Sequence, residues 1–245
     1  MPINLKKRYG QNYLIDQNVL SKISNLIHSD NLKILEIGPG DGRLTDRIIS
    51  KKPSLLTLVE IDKDLIKNLN EKYSYNKMIE LVNIDILNYE IKKRYELIIS
   101  NLPYNISSQI LIKLSIMSVI PDTLILMFQK EFAQRLLDKK LNAINSIVCC
   151  FYNISFNFHV SKNCFRPVPK VDSSVLTFKK IENKLLNVHE INNFIIFKRN
   201  LFSHKRKSLK NLLKKYDLKN KFDLNMRVED LKLNELINIF RAVNS

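Results

Sequence analysis

Lys33-Ile34-Leu35-Glu36-Ile37-Gly38-Pro39-Gly40-Asp41-Gly42-Arg43-Leu44-Thr45-Asp46-Arg47-Ile48-Ile49-Ser50 reads as an apolar strand, a glycine turn and a helix in direct succession. The strand covers Lys33 to Ile37, and the helix runs from about Arg43 to Ser50, ended by Pro53. The alternation continues outward. Leu55 to Glu60 reads as a second strand, Asp64 to Glu71 as a helix, and Ile79 to Asn83 and Leu97 to Ser100 as further strands. Ser107 is placed to cap a helix carrying Ile110, Leu111 and Leu114, and Thr123 to Phe128 is another apolar strand. Upstream, a helix starts near Asp16 with Val19, Leu20, Ile23 and Ile27 on one face. Strands alternating with helices predict an α/β fold with a parallel, doubly wound sheet. Asn153 to Val160 alternates as a half-exposed strand should, and Ser174 to Phe178 is its expected hairpin partner. That adds an antiparallel pair at one edge.

After about Lys180 no strand signal remains. Apolar periodicity around Ile191–Phe202, Leu209–Leu218 and Leu231–Phe240 predicts a small helical C-terminal domain. The chain is therefore divided into residues 1–182 and 183–245. A chain of 245 residues, 45% hydrophobic, is long enough for one large core and a small second unit.

The glycine turn points to a ligand. Glycines after the first strand let the chain bend sharply and let a ligand approach the backbone. A dinucleotide fingerprint would need its third glycine at position 43, which is Arg43. The spacing suits a ligand without a pyrophosphate, such as S-adenosylmethionine, with its amino-acid end over the turn. Glu60 ends the second strand 22 residues past Gly38, where a carboxylate can accept both ribose hydroxyls. Asp85, at the end of the third strand, can accept from an adenine amino group or cap the next turn. All these groups fall at the carboxyl ends of strands, where open α/β sheets bind ligands.

Asn101-Leu102-Pro103-Tyr104 follows the apolar run Glu96 to Ser100. The Asn101 side-chain oxygen and the Leu102 carbonyl can both accept hydrogens from an exocyclic amine. Pro103 fixes the bend, and Tyr104 offers a face for stacking. These are the parts needed to hold a flat base.

The charge agrees with a polyanionic partner. Lys and Arg number 40 against 24 Asp and Glu, a net charge of +16. A genome rich in A and T would also enrich Lys, Asn and Ile. However, Lys198 to Lys221 holds ten Lys or Arg against the single acid Asp217, and that clustering argues for phosphate contacts. A solvated helix face is the alternative. Cys149, Cys150 and Cys164 show no metal-ligand spacing and no even disulfide set. No metal is expected, and the thiols suit a reduced, cytoplasmic compartment. The start of the chain has Lys6, Lys7 and Arg8 with no apolar stretch behind them, so no signal peptide is expected. Leu111 to Phe128 is broken by Pro121-Asp122 and too short to span a bilayer.

Taken in order, several motifs resemble the small-subunit ribosomal RNA adenine dimethyltransferases. They are Lys7-Arg8-Tyr9-Gly10-Gln11-Asn12-Tyr13-Leu14, Glu36 to Gly42, Val59-Glu60-Ile61-Asp62, Asn101 to Ile106, Arg166-Pro167-Val168-Pro169-Lys170-Val171-Asp172-Ser173, and Lys205-Arg206-Lys207 in the helical tail. The resemblance covers nearly the whole chain. It implies a Rossmann-like methyltransferase domain with a helical C-terminal domain. It also implies methyl transfer from S-adenosylmethionine to two adjacent adenosines near the 3′ end of 16S rRNA, on a 30S assembly particle during small-subunit biogenesis. A monomer with no membrane partner is expected. By motif position, Asn12, Leu14, Gly38, Glu60, Asp85 and Asn101 would line the cofactor pocket. Asn101, Leu102 and Tyr104 would hold the target base, and Phe165 would cover its other face or else pack in the core. Lys205 and Arg206 would contact RNA.

Three departures from the family pattern stand out. Ser108 replaces a frequent Thr, Leu141 to Ser146 lacks a Tyr-Gly-Arg-like sequence, and Tyr9 and Tyr13 replace Phe. The rival readings are a relative acting on 23S rRNA, a non-catalytic RNA-binding assembly factor, and a nicotinamide-dependent dehydrogenase. The intact acceptor and cofactor residues speak against the second, and the glycine spacing against the third.

Overall fold

The computed structural model describes residues 11–216, 218 and 222–244. Lys7 to Gly10, within the first motif, lie outside the described residues. So do Asp217, Lys219 and Lys221 of the basic cluster.

The chain runs β1 (Tyr13–Leu14), α1 (Gln17–Ser24), β2 (Lys33–Ile37), α2 (Arg43–Ile49), β3 (Leu55–Glu60), α3 (Lys63–Tyr73), β4 (Ile79–Asn83) and β5 (Leu97–Asn101). It continues through α4 (Ser107–Ser115), β6 (Thr123–Gln129), α5 (Lys130–Leu137), α6 (Asn145–Val148), β7 (Tyr152–Val160), β8 (Phe165–Arg166) and β9 (Ser173–Lys180). Helices α7 (Ile191–Phe202), α8 (Leu209–Leu212) and α9 (Leu233–Asn244) follow.

Seven strands form one sheet in the order β4-β3-β2-β5-β6-β9-β7. The first five in that order pair in parallel, whereas β9 pairs antiparallel with both β6 and β7. The expected mostly parallel sheet with an antiparallel edge is therefore present. Strand succession reverses between β2 and β5, which opens a crevice above their carboxyl ends. Helices α1, α2 and α3 pack one apolar face of the sheet, through residues such as Leu20, Ile48 and Leu69. Helices α4 to α6 pack the other, and that cluster runs without a break into the tail through Ile191, Phe194, Leu236 and Phe240. The Phe194 and Phe240 rings meet edge-on at 5.2 Å.

Local chemistry explains where boundaries differ from the sequence reading. Asp16 caps α1, accepting from the Val19 amide at 2.9 Å, as expected. Ser107 does not cap α4: the cap position is Ile106, and the Ser107 hydroxyl donates to the Tyr104 carbonyl instead. Asp85 lies in a turn beyond β4 rather than ending that strand. A register shift between Phe156 and Phe158 interrupts the alternation of β7. The helix expected over Leu209–Leu218 is only one turn, because Leu213 leaves helical geometry at φ −110°.

One buried amine joins the two parts of the chain. Lys198 of α7 is 6% exposed and donates to the Ala143 carbonyl in the atypical Leu141–Ser146 stretch. Burial, with Arg199 nearby, lowers its pKa to about 8. Its ordinary value is near 10.4, so the unfolded chain binds the extra proton between about pH 8 and pH 10.4. The fold therefore carries the full penalty below pH 8 and sheds it as pH rises through that window. Cys150, pushed up to about 12 by burial, titrates in the opposite sense in both proteins compared below. Lys198→Met should be more stable than wild type by about 1–2 kcal/mol at pH 7, and the gap should close by pH 10. Thermal melts of the two proteins across pH 7–10 measure it.

Candidate functional site

Above the carboxyl ends of β2 to β5 lies a cleft of about 380 Å³. Its floor is the turn after β2. Gly38 has φ +65°, and a Cβ added there would meet nothing within 4 Å, so the backbone at that point fronts open space. Gly40 has φ +61°, and a Cβ there would come within 2.9 Å of the Tyr13 ring. Glycine is thus required at both positions, for approach by a ligand at the first and by Tyr13 at the second.

Glu60 closes β3 and is almost wholly buried. Its Oε1 accepts from the Asp62 amide at 2.9 Å and its Oε2 more distantly from the Gly40 amide at 3.4 Å. Burial raises its pKa. Asp85 does cap its own turn, with Oδ1 accepting from the Leu87 amide at 2.9 Å, and it also lines the cleft. Asn12, Leu14, Gly38 and Asn101 line the same cleft, so the six residues assigned to the cofactor pocket converge.

Asn101 is held in one orientation. Its Nδ2 donates to the Asn12 carbonyl at 2.9 Å. A carbonyl can only accept, so the amide nitrogen must face Asn12 and Oδ1 must face the other way. Leu102 and Pro103 carry the cleft wall on from Asn101.

Tyr104 and Phe165 differ from their neighbours in the sequence reading. Tyr104 stands outside this cleft, with its hydroxyl 2.6 Å from Ser173 Oγ on β9. Phe165 is 0% exposed: β8 pairs it with Leu14, and the ring is packed in the core against the α1–α3 face. The expectation that Phe165 covers a base is corrected, because the ring has no exposed face to offer. Lys205 and Arg206 are exposed in the turn between α7 and α8 and do not line the cleft.

Glu36, Tyr13 and Asp41 of the cleft lining were not assigned a role from sequence. Glu36 is 1% exposed and accepts from Thr45 Oγ1 at 2.7 Å, and burial pushes its carboxyl up to about 8. The Tyr13 hydroxyl is buried and has no hydrogen-bond partner among the described residues. Asp41, whose pKa burial also raises, joins Glu36, Glu60 and Asp85 as the fourth acid of the lining. An acid-lined cleft in a chain of net charge +16 favours a cationic ligand. Open backbone at Gly38, an orphaned hydroxyl and this lining fit S-adenosylmethionine, whose sulfonium is positive.

Fold and cleft together define a Rossmann-like, S-adenosylmethionine-dependent methyltransferase. The family model described as ribosomal RNA adenine dimethylase matches residues 3–245, and the chain belongs to that family. A ribosomal RNA small subunit methyltransferase A from Mycoplasmopsis pulmonis is 37% identical over 96% of this chain and 97% of its own length. One from Pelagibacter ubique is also 37% identical, over 95% of this chain and 94% of its own. Among solved structures, a dimethyladenosine transferase from Plasmodium falciparum superposes with a TM-score of 0.78 at 24% identity, over 94% of this chain and 95% of that one. The 23S rRNA methyltransferase ErmE gives 0.74 at 24%, over 95% and 100%. These two similarities speak for the fold.

Gly38→Val should fill the open space in front of the turn. Its cost to the fold is the positive φ, which a β-branched residue tolerates poorly, about 1–3 kcal/mol. The variant should still fold, melt several degrees below wild type and lose stabilisation by S-adenosylmethionine, as a thermal-shift titration would show.

Proposed function

We propose that the protein dimethylates the N6 amines of two adjacent adenosines near the 3′ end of 16S rRNA, acting as a monomer on a 30S assembly particle in the cytoplasm. The observation that carries this reading is the fixed orientation of Asn101, with Oδ1 turned from Asn12 at the mouth of an acid-lined cleft. No helix among the described residues is long and apolar enough to cross a membrane.

S-adenosylmethionine supplies an electrophilic methyl group on a positive sulfur. The chain must supply alignment. An adenine amine is a weak nucleophile because its lone pair is shared with the ring. Asn101 Oδ1 and the Leu102 carbonyl accept its two hydrogens, which favours a pyramidal nitrogen with its lone pair directed into the cleft. No strong base is needed, since the nitrogen becomes acidic as it is alkylated and its proton passes to solvent. The target adenosine must leave its stack to reach this point. The Tyr104 ring, anchored through Ser173, offers a stacking face worth about 1–3 kcal/mol. Asn12, Leu14, Gly38, Glu60 and Asp85 would hold the cofactor, with Glu60 on the ribose and the free oxygen of Asp85 on the adenine amine. Lys205 and Arg206 would meet RNA phosphates.

The small-subunit names of the curated relatives support a 16S rRNA target over a 23S rRNA one. Tritiated-methyl transfer to undermodified 30S particles, naked 16S rRNA and 50S particles tests it. The 30S particle should be labelled far faster than the other two, at two adjacent adenosines. Preferential labelling of 50S particles would overturn the assignment.

A further inference from the structure

Lys113 of α4 is a half-buried cation beside the apolar residues Ile110, Leu111 and Leu114. Its ammonium donates to the Leu87 carbonyl at 2.8 Å. Leu87 belongs to the turn that follows β4 and carries Asp85. Asp85 Oδ1 accepts from the Leu87 amide at 2.9 Å, and the Asp85 carbonyl accepts from the Asn88 and Tyr89 amides, each at 2.9 Å. Both sides of Leu87 are thus held, its N–H by Asp85 and its C=O by Lys113. Burial lowers the pKa of the ammonium, and the Asp85 carboxylate opposes that lowering. A lysine gives up hydration and rotamer freedom to sit there, although water satisfies a turn carbonyl equally well. The helix that carries it also opens directly behind the base corner. Ser107, the first residue of α4, donates to the Tyr104 carbonyl at 3.2 Å. One side chain therefore ties the Asp85 turn, on the cleft lining, to the helix that follows Asn101 to Tyr104.

We propose that Lys113 is a positioning residue for recognition of the methyl donor: by holding Leu87, it fixes the Asp85 carboxylate so that Oδ2 reads the exocyclic amine of the cofactor's adenine. The inference rests on the cleft being the cofactor site, with Asp85 at its adenine end. With Oδ1 occupied by the Leu87 amide, Oδ2 is the oxygen left to a ligand. In adenine the 6-amino group donates and the adjacent ring nitrogen accepts. In a 6-oxo purine the two roles are exchanged. A carboxylate fixed opposite position 6 accepts from the amine and repels the oxo oxygen. A carboxylate free to swing finds the N–H of the 6-oxo ring one atom away and loses the distinction. Asp85 supplies the acceptor, and the ammonium behind Leu87 supplies its fixed aim.

Calorimetric titration of the full chain tests this, with S-adenosylhomocysteine, the demethylated product, and with its 6-oxo (hypoxanthine) analogue. The product is stable and carries the same purine as the donor. Wild type should prefer the amino ligand by about 30-fold or more. In Lys113→Met that preference should fall to within about threefold, in part through a gain in affinity for the 6-oxo ligand, whereas Lys113→Arg, which keeps a donor, should retain most of it. Asp85→Ala should lose the preference too, and adding Lys113→Met to it should shift the ratio by less than about twofold. If Lys113→Met weakens both ligands equally and keeps the wild-type ratio, Lys113 has a packing role only and the inference is overturned. A further change of ratio in the Asp85→Ala background overturns it as well. Should Lys113→Met not fold, Lys113→Gln, one atom too short to reach the Leu87 carbonyl, takes its place. Equal binding of both ligands by wild type, or a preference that survives in Asp85→Ala, would show instead that Asp85 does not meet the adenine, so that the reading beneath the inference fails.

Discussion

The hydrogen bond from Asn101 Nδ2 to the Asn12 carbonyl joins residues far apart in the chain and fixes the oxygen on which the proposed chemistry turns. Its geometry follows from the fold. Asn101 ends β5, the strand on one side of the reversal in strand order, and Asn12 immediately precedes β1, which is held by its pairing with β8. The sheet supplies the position, and the N-terminal segment supplies the orientation. An Asn side chain free to flip would present NH2 to the amine about as readily as oxygen, and two donors repel. The single bond to a backbone carbonyl removes that ambiguity.

Electrostatics divide the molecule by surface. The net charge is strongly basic, as a partner bearing phosphates demands, and the exposed Lys205-Arg206-Lys207 turn is one of two described runs of three exposed cations, with Lys92-Lys93-Arg94. The cleft is the reverse: Glu36, Asp41 and Glu60 line it, and burial raises the pKa of each. A polyanion is drawn to the outside, and a small cation fits within.

Much of this was legible in the amino-acid sequence, because parallel strands buried on both faces read as continuous apolar runs. Lys33–Ile37, Leu55–Glu60 and Thr123–Phe128 are such runs, and the glycine turn marks the ligand end of the first. Phe165 was not legible. An aromatic residue beside a proline loop looks the same in sequence whether it faces a ligand or pairs with β1, and only the two-residue β1–β8 ladder decides. Ser107 misled for a similar reason, since its hydroxyl reaches back to Tyr104 while a hydrophobic residue occupies the cap. Glu36 sat inside a quoted motif, but its burial beneath α2 depends on packing that no local pattern records.

The most direct measurement of the central claim is single-turnover methylation by Asn101→Ala, with the affinities for S-adenosylmethionine and rRNA measured alongside. Loss of an acceptor used mainly in the transition state should lower the methylation rate by on the order of 10²–10³, with both affinities changed by less than about threefold. A variant that methylates at close to the wild-type rate would contradict the account, because the fixed oxygen of Asn101 would then have no part in presenting the amine.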